Sequence, residues 1–379
     1  MNQSLCSHPW KAMAVRPNGL VIPCCRFNQQ GLDTYINSGD NLRNSDIWKT
    51  IRLDMLQGKL IKGCNKCYEE EKIGITSLRQ TESIDFNPID NQALPIENLE
   101  IAFSNLCNLS CVHCSSFFST KWYSIDVLAG RATKSAISTH STSFKDWDLS
   151  KVTKLKIIGG EPMMEQEKFI ELMSCIDLSN VVLEINTNGT ILPNNTLKSY
   201  IDKCKRVYFC VSIDGLKSVN DWYRWPSNFD NIVANMQTYN KWWAADKSID
   251  PLFHNIQLMI HHVCNMFSVI ELEEFIDYVE SNLPDWRINW DWISHPQWQT
   301  IESLPEEYKH QLIEKFKIAA VKYKANKKTR AANPYLVAIH YLKNSAPVQW
   351  EQVKQHIEDT ASERKLDFFA MVPKFKNIW

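Results

Sequence analysis

The chain has 379 residues, 44% of them hydrophobic, and a formal net charge of −1. That is enough for a large core and more than one domain, and it leaves no electrostatic footprint for nucleic acid. Its twelve cysteines come without a signal-peptide pattern or an apolar run of membrane length, which sets aside a disulfide-stapled secreted module and a membrane protein. Clustered C-x-x-C spacings in such a chain read instead as metal ligands of a cytoplasmic protein.

In chain order, Cys6 is followed by Pro9-Trp10, by Pro17-Asn18-Gly19 and by the pair Cys24-Cys25. Asn18-Gly19 between Met13-Ala-Val15 and Leu20-Val-Ile22 predicts a hairpin. An amphipathic helix is expected next, from a start near Ser45 to a stop at Gly58, with Ile47, Trp48, Ile51, Met55 and Leu56 on one face. Cys64-Asn-Lys-Cys67 follows. Cys6, one of Cys24 and Cys25, Cys64 and Cys67 form a thiolate set able to close around zinc or an iron–sulfur cluster. The pattern C…G-x-x-x-x-C…C-x-x-C resembles the half-sized auxiliary-cluster domain called twitch, a shortened relative of the SPASM domain. The resemblance implies a 4Fe–4S auxiliary cluster. It favours Cys24, five residues after Gly19, over Cys25 as its ligand. A polar stretch from Asn87 to Pro95 ends this part.

Leu99-Glu-Ile101-Ala-Phe103 alternates as a half-buried strand does. Just past it lies Cys107-Asn-Leu-Ser-Cys111-Val-His-Cys114. Thiolates at these spacings hold three irons of a cubane cluster and leave the fourth open. An open iron binds a small molecule, whereas a fully ligated cluster only passes electrons. Strand-end rims are also where barrels of alternating strands and helices build active sites. Zinc, with His113 offered as a fourth ligand, is the competing reading.

The Cys107–Cys114 run resembles the C-x-x-x-C-x-x-C cluster motif of the radical S-adenosylmethionine (SAM) superfamily. Leu155-Lys-Ile157-Ile158-Gly159-Gly160-Glu161-Pro162 is similar to the family's second strand and its G-G-E-P motif, which holds the amino group of the SAM methionine. Glycines at such a turn let backbone approach a ligand closely. Val181 to Gly189, with Asn186 and Asn188, and Val207 to Gly215, with Ser212 and Asp214, resemble further strand ends that meet the ribose and the methionine carboxylate. Tyr223-Arg224 is similar to a family arginine near that carboxylate. His113 departs from the family's plain aromatic before the last cysteine; an imidazole still lies against adenine. Asn, Asp and Gly turn chemistry explains each of these segments taken alone.

Helices are expected over Glu165–Ile176, Asn195–Lys205, Asn228–Ala244 and Val269–Asn282, and later strands over Ile256–Val263 and Arg287–Ile293. Strands alternating with crossover helices suggest α/β architecture, and the resemblance makes it a partial (β/α)6 radical SAM barrel. The expected domains are 1–95 for the auxiliary cluster, 96–300 for the barrel and 301–379 for a helical C-terminal region opened by Pro305-Glu-Glu. Ser135 to Ser143 is expected to be a loop. Cys175, Cys204, Cys210 and Cys264 read as small core residues. Trp286, Trp290, Trp292 and Trp298 read as stacked core aromatics or as a substrate-facing wall. Lys322, Lys324, Lys327, Lys328 and Arg330 read as a solvated helix end or as a docking site for an acidic substrate.

The resemblance implies an enzyme that uses two 4Fe–4S clusters and S-adenosyl-L-methionine. A reduced cluster cleaves SAM to a 5′-deoxyadenosyl radical, which takes hydrogen from a substrate. A flavodoxin- or ferredoxin-type donor supplies electrons. Relatives with auxiliary clusters often modify peptides, so a peptide or protein segment is the expected substrate. A small-molecule dehydrogenase or mutase stays open, as does a non-catalytic iron–sulfur scaffold or maturation protein. Against the scaffold stand the intact Gly159-Gly160-Glu161-Pro162 and Ser212-Ile-Asp214-Gly segments, which a scaffold does not need.

Overall fold

The structure, a computed structural model, describes residues 4–28, 32–35, 42–72, 74, 76–131, 143–243, 255–325, 329–343 and 349–379. The chain begins with α1 (His8–Lys11), β1 (Ala12–Val15), β2 (Val21–Ile22), α2 (Asp46–Leu56), α3 (Asn65–Lys72), α4 (Leu78–Glu82), β3 (Asn98–Ala102) and α5 (Thr120–Leu128). There follow β4 (Lys154–Ile158), α6 (Gln166–Ser174), β5 (Val182–Thr187), α7 (Asn195–Ile201), β6 (Arg206–Ser212), α8 (Lys217–Tyr223) and α9 (Phe229–Trp243). The last elements are β7 (Ile256–Cys264), α10 (Leu272–Asn282), β8 (Arg287–Trp292), α11 (Glu306–Ala325), α12 (Thr329–Lys343), α13 (Trp350–Arg364) and α14 (Phe368–Met371). The strand order is β2-β1-β3-β4-β5-β6-β7-β8. After the opening hairpin, β3 to β8 follow in chain order with helices between them, the partial (β/α)6 form of an α/β fold. A small N-terminal cysteine-bearing segment precedes it and helices end it.

The chain divides into two compact units that cut across the expected segments 1–95, 96–300 and 301–379. The first comprises Met1–Leu106, Ala136–Ile185 and Pro193–Tyr208; the second comprises Cys107–Ser135, Asn186–Leu192 and Phe209–Trp379.

In the first unit the Asn18-Gly19 hairpin forms, with Gly19 at φ +80° and Ala14 opposite Ile22. Its first strand does more than turn. β1 also runs parallel to β3, with Ala12 opposite Asn98 and Val15 opposite Ile101. All four of its residues are buried, as fits a strand flanked on both sides. β3, β4 and β5 continue in parallel register, Asn98 opposite Lys154 and Lys154 opposite Val182. Leu99, Ile101, Leu155, Ile157, Leu183 and Ile185 alternate into the core. Helix α2 starts after Ser45 as expected and buries Trp48, Ile51 and Met55, but Leu56 is exposed. The inner place goes instead to Arg52, fully buried and donating to Pro9 O at 2.9 Å, Asn91 O at 2.6 Å and Asn44 Oδ1 at 3.1 Å. A polar side chain is tolerated there because its donors are satisfied. Helix α7 stops at Ile201, four residues short of the expected Lys205, because Cys204 N–H turns back to Ile201 O and β6 begins at Arg206.

In the second unit β7 and β8 run parallel, His262 opposite Trp290. Their outward residues pack with α8 and α10 to α14 in one apolar core. The C-terminal region is part of that core: Trp222 meets Phe368 at 5.0 Å and Phe267 meets Phe375 at 5.2 Å, centroid to centroid. The Val269–Glu271 stretch, expected as α-helix, is a 3-10 turn before α10. Trp290, Trp292 and Trp298 pack against the core, and Trp286 is buried with its Nε1 donating to Asn240 Oδ1 at 2.7 Å. Trp290, Trp292 and Trp298 stay half-buried, and Trp292 lines a cavity with Ile293, His295 and Tyr341. Cys210 and Cys264 are buried here, and Cys204 in the first unit; Cys175 is half-buried. Lys322 pairs with Glu273 at 3.2 Å on the surface. Lys327, Lys328, the Arg330 side chain and residues 135–142 lie outside the described residues. Among the described residues, no helix is long and apolar enough to cross a membrane.

Candidate functional site

The N-terminal thiols gather in the first unit. Cys6 precedes α1, Cys24 follows the hairpin, and Cys64 and Cys67 lie at the start of α3. All four line one small cavity, with His8, Arg26, Phe27 and Arg79 around them. Cys25 does not line it; it is exposed and faces a neighbouring cavity with Glu100 and Lys156. Burial pushes the Cys6 thiol up to about 11 and, with Cys6 and Cys67 nearby, the Cys64 thiol up to about 12. A metal that takes these thiols must therefore displace their protons. Arg79 is held there by Glu71 and donates to Leu5 O at 2.9 Å, and Arg26 pairs with Glu70.

The Cys107–Cys114 loop lies wholly in the second unit. Its backbone is tied at almost every residue. Ser110 N–H donates to Trp225 O and Val112 N–H to Tyr223 O, each at 2.7 Å. Trp122 Nε1 donates to Cys111 O at 2.6 Å, and Gln299 Nε2 to Val112 O at 2.9 Å. Thr120 Oγ1 donates to Cys107 O at 3.1 Å. Cys111 is buried, Cys107 and Cys114 are half-buried, and none is in a disulfide. Burial pushes the Cys114 thiol up to about 12, with Cys111 and Cys107 adding to it.

Among the described residues, no three His, Cys, Asp or Glu side chains converge as a single metal ion needs. A tetrahedral zinc site demands such convergence. A cubane cluster asks for a looser gathering, because each thiolate reaches a different iron.

The other expected residues of the second unit fall around this loop. Asn188 is buried; its Nδ2 donates to Asn108 Oδ1 at 2.8 Å and lies 4.0 Å from Cys107 Sγ, and its Oδ1 accepts from Thr190. Asp214 is fully buried, accepts from Val263 N–H at 2.8 Å and pairs with Arg224 at 2.7 Å. Burial alone would raise its carboxyl, but Arg224, then His113 and His262, hold it below the ordinary value. Arg224 Nη1 also lies 4.0 Å from Cys111 Sγ. His113 stacks on Tyr223 at 5.2 Å, and its buried Nδ1 has no hydrogen-bond partner among the described residues. Burial pushes its imidazole down to about 4, so it is neutral. Asn186 and Ser212 are half-buried at the ends of β5 and β6.

In the first unit, Gly159 and Gly160 follow β4. The expected close approach exists, but to backbone. A Cβ on Gly160 would lie 2.1 Å from Leu106 O, and one on Gly159, at φ +117°, 2.8 Å from Ala102 Cβ. Gly160 N–H donates to Ser104 O at 3.1 Å and Glu161 N–H to Leu106 O at 2.7 Å. The turn thereby braces the segment that leads out of β3. Glu161 is buried, and its Oε1 accepts from Met163 N–H at 3.0 Å.

Residues 6–68 match SPASM, an iron-sulfur cluster-binding domain. The matched segment contains Cys6, Cys24, Cys64 and Cys67. Solved structures similar to the chain include native anSMEcpe with bound AdoMet, at 15% identity and TM-score 0.41, covering 60% of this chain and 61% of that one. SuiB of Streptococcus suis, bound to precursor peptide SuiA, is similar at 14% identity and TM-score 0.34, covering 73% of this chain and 61% of that one. The chain thus spans about three-fifths of the length of these structures. No curated protein matches it at the level of sequence.

Sequence reasoning missed His8, Arg26, Arg79 and Arg364. His8 had a local cue, two residues after Cys6, and its Nδ1 lies 3.7 Å from that thiol. The arginines had none, because what brings them to the thiols is tertiary.

Proposed function

We propose that the chain is a radical SAM enzyme with an auxiliary 4Fe–4S cluster in its SPASM-like segment, acting in the cytoplasm on a peptide or protein segment. The observation that carries the reading is the Cys107–Cys114 loop: neighbouring thiols outside any disulfide, on a backbone tied down bond by bond, with guanidinium charge beside Cys111. When bound, the cluster and SAM supply a reductive cleavage that ends in hydrogen abstraction from the substrate. Cys107, Cys111 and Cys114 hold the first cluster. Cys6, Cys24, Cys64 and Cys67 hold the auxiliary one, and Cys25 is spare.

Within this reading the remaining residues divide by what already occupies them. Asn188 steadies Asn108 and Cys107, and Asp214 holds Arg224; their work is to order the site. His113 keeps a buried Nδ1 without a partner among the described residues, which suits an adenine neighbour. Asn186 and Ser212 are the strand-end groups assigned to the ribose and the methionine carboxylate. Gly159, Gly160 and Glu161 are assigned the methionine amino group by motif. Electrons come from a flavodoxin- or ferredoxin-type donor.

The peptide assignment rests on the SPASM-like segment. Anaerobic turnover with excess SAM tests it, first with candidate peptides and then with small-molecule extracts. The expected result is a mass change in a peptide coupled to 5′-deoxyadenosine release. Release stimulated only by a low-mass fraction, with no peptide altered, would replace it with a small-molecule dehydrogenase or mutase.

A further inference from the structure

Arg364 is the last residue of α13, far along the chain from any cysteine. The helix stops there because Lys365 adopts φ +56° and turns its N–H back to Ala361 O and Ser362 O. A lysine in the left-handed region is uncommon and is held by its surroundings. The stop delivers the guanidinium into the interior, where the residue is 5% exposed. There it donates to Ser110 O at 2.6 Å and to Trp222 O at 2.7 Å. The rings of Trp122, Trp222 and Trp225 surround it at 5.7, 5.7 and 5.8 Å. Ser110 is the residue before Cys111, so one of the two bonds fixes the cysteine loop itself.

The charge balance is the informative part. Among the described residues, no carboxylate lies within ion-pair distance of Arg364, whereas Arg224 has Asp214. Buried charges are ordinarily paired or matched to a metal site. The C-terminal end of α13 offsets some of the charge. The neighbouring Glu363 is taken by Arg131, and the bond to Ser110 O sets the guanidinium against the loop that carries Cys111.

We propose that Arg364 is a positioning residue for the cluster loop and that the anionic cluster on Cys107, Cys111 and Cys114 is its counter-charge. The inference rests on the cluster assignment above. A buried positive charge beside a cluster favours the form with one more electron. Removing it makes the cluster harder to reduce.

The test compares R364M, which fills the tryptophan cage without charge, with R364K, which keeps the charge. EPR-monitored redox titration of the reconstituted full chain reads the signal that changes on adding SAM. R364M is expected to lower the potential of that signal by up to tenfold in the one-electron equilibrium, about 59 mV, and R364K to stay within about twofold of wild type. R364M is also expected to melt no lower than wild type as apoprotein, and to gain less from reconstitution. An unchanged potential in folded R364M, with or without a lower melting temperature, overturns the proposal. So does failure of R364M to fold where R364K folds, because the charge would then be matched within the apoprotein. A wild type with no SAM-responsive cluster signal counts against the cluster assignment instead.

Discussion

Glu271 shows how one buried group sets a pH dependence. It sits in the turn before α10, is 7% exposed and accepts the Leu216 N–H at 2.6 Å. Burial raises its carboxyl from the ordinary 4.5 to about 7, against the opposing pull of that bond and of Lys374. A folded-state value above the unfolded one means stability that is complete below about pH 4.5 and is lost as pH rises through about 7. The loss approaches about 3 kcal/mol at most, at 1.36 kcal/mol per unit. Glu271→Gln keeps the acceptor and cannot ionise. Its melting temperature should match wild type near pH 4 and exceed it near pH 8.5. Equal melting temperatures at both ends would show that Glu271 does not carry this dependence. Nothing in the sequence marked Glu271, since an acidic residue before a helix is ordinarily solvated and favourable. Cys107, Cys111 and Cys114 were legible because spacing alone brings such residues to one loop. Arg364 was not, because its meaning depends on a helix end far along the chain.

At the level of elements, the Gly159-Gly160 turn has a structural reason of its own beside the ligand-facing one that the motif implies. The missing side chains admit backbone from the β3 exit, and a Cβ on Gly160 would meet Leu106 C at 2.6 Å as well as its oxygen. Gly160→Ala should therefore destabilise the fold by about 1–3 kcal/mol, seen as a lower denaturation midpoint of the apoprotein, without any SAM present. An apoprotein as stable as wild type that had lost only SAM affinity would leave the glycine with the ligand-facing role alone. Alternation made β3 readable, because Leu99 and Ile101 are buried with the less buried Glu100 between them. The hairpin was readable from Asn18-Gly19. Its parallel docking beside β3 was not, since that pairing joins segments far apart in the chain and leaves no local signature. Helix α2 was placed well, but its inner face was misjudged at Leu56 and Arg52. Apolar periodicity says nothing of an arginine whose three guanidinium nitrogens each donate to a carbonyl or an amide oxygen.

Across the whole molecule, two thiol sets lie in different compact units, and each is enclosed by its own arginines. Loading should therefore be separable. Wild type reconstituted without oxygen should hold about eight irons per chain, and the Cys64→Ala, Cys67→Ala variant about four. A wild-type content near four that the double variant leaves unchanged would remove the auxiliary cluster from the account.

The central claim is that the Cys107–Cys114 loop supports SAM chemistry. Its most direct measurement is 5′-deoxyadenosine formed from SAM by dithionite-reduced protein, with wild type set against a variant carrying alanine at Cys107, Cys111 and Cys114. The account predicts product from wild type and none from the variant, while the variant keeps the iron bound by Cys6, Cys24, Cys64 and Cys67. Product undiminished in the variant, or absent from a fully iron-loaded wild type, would contradict it.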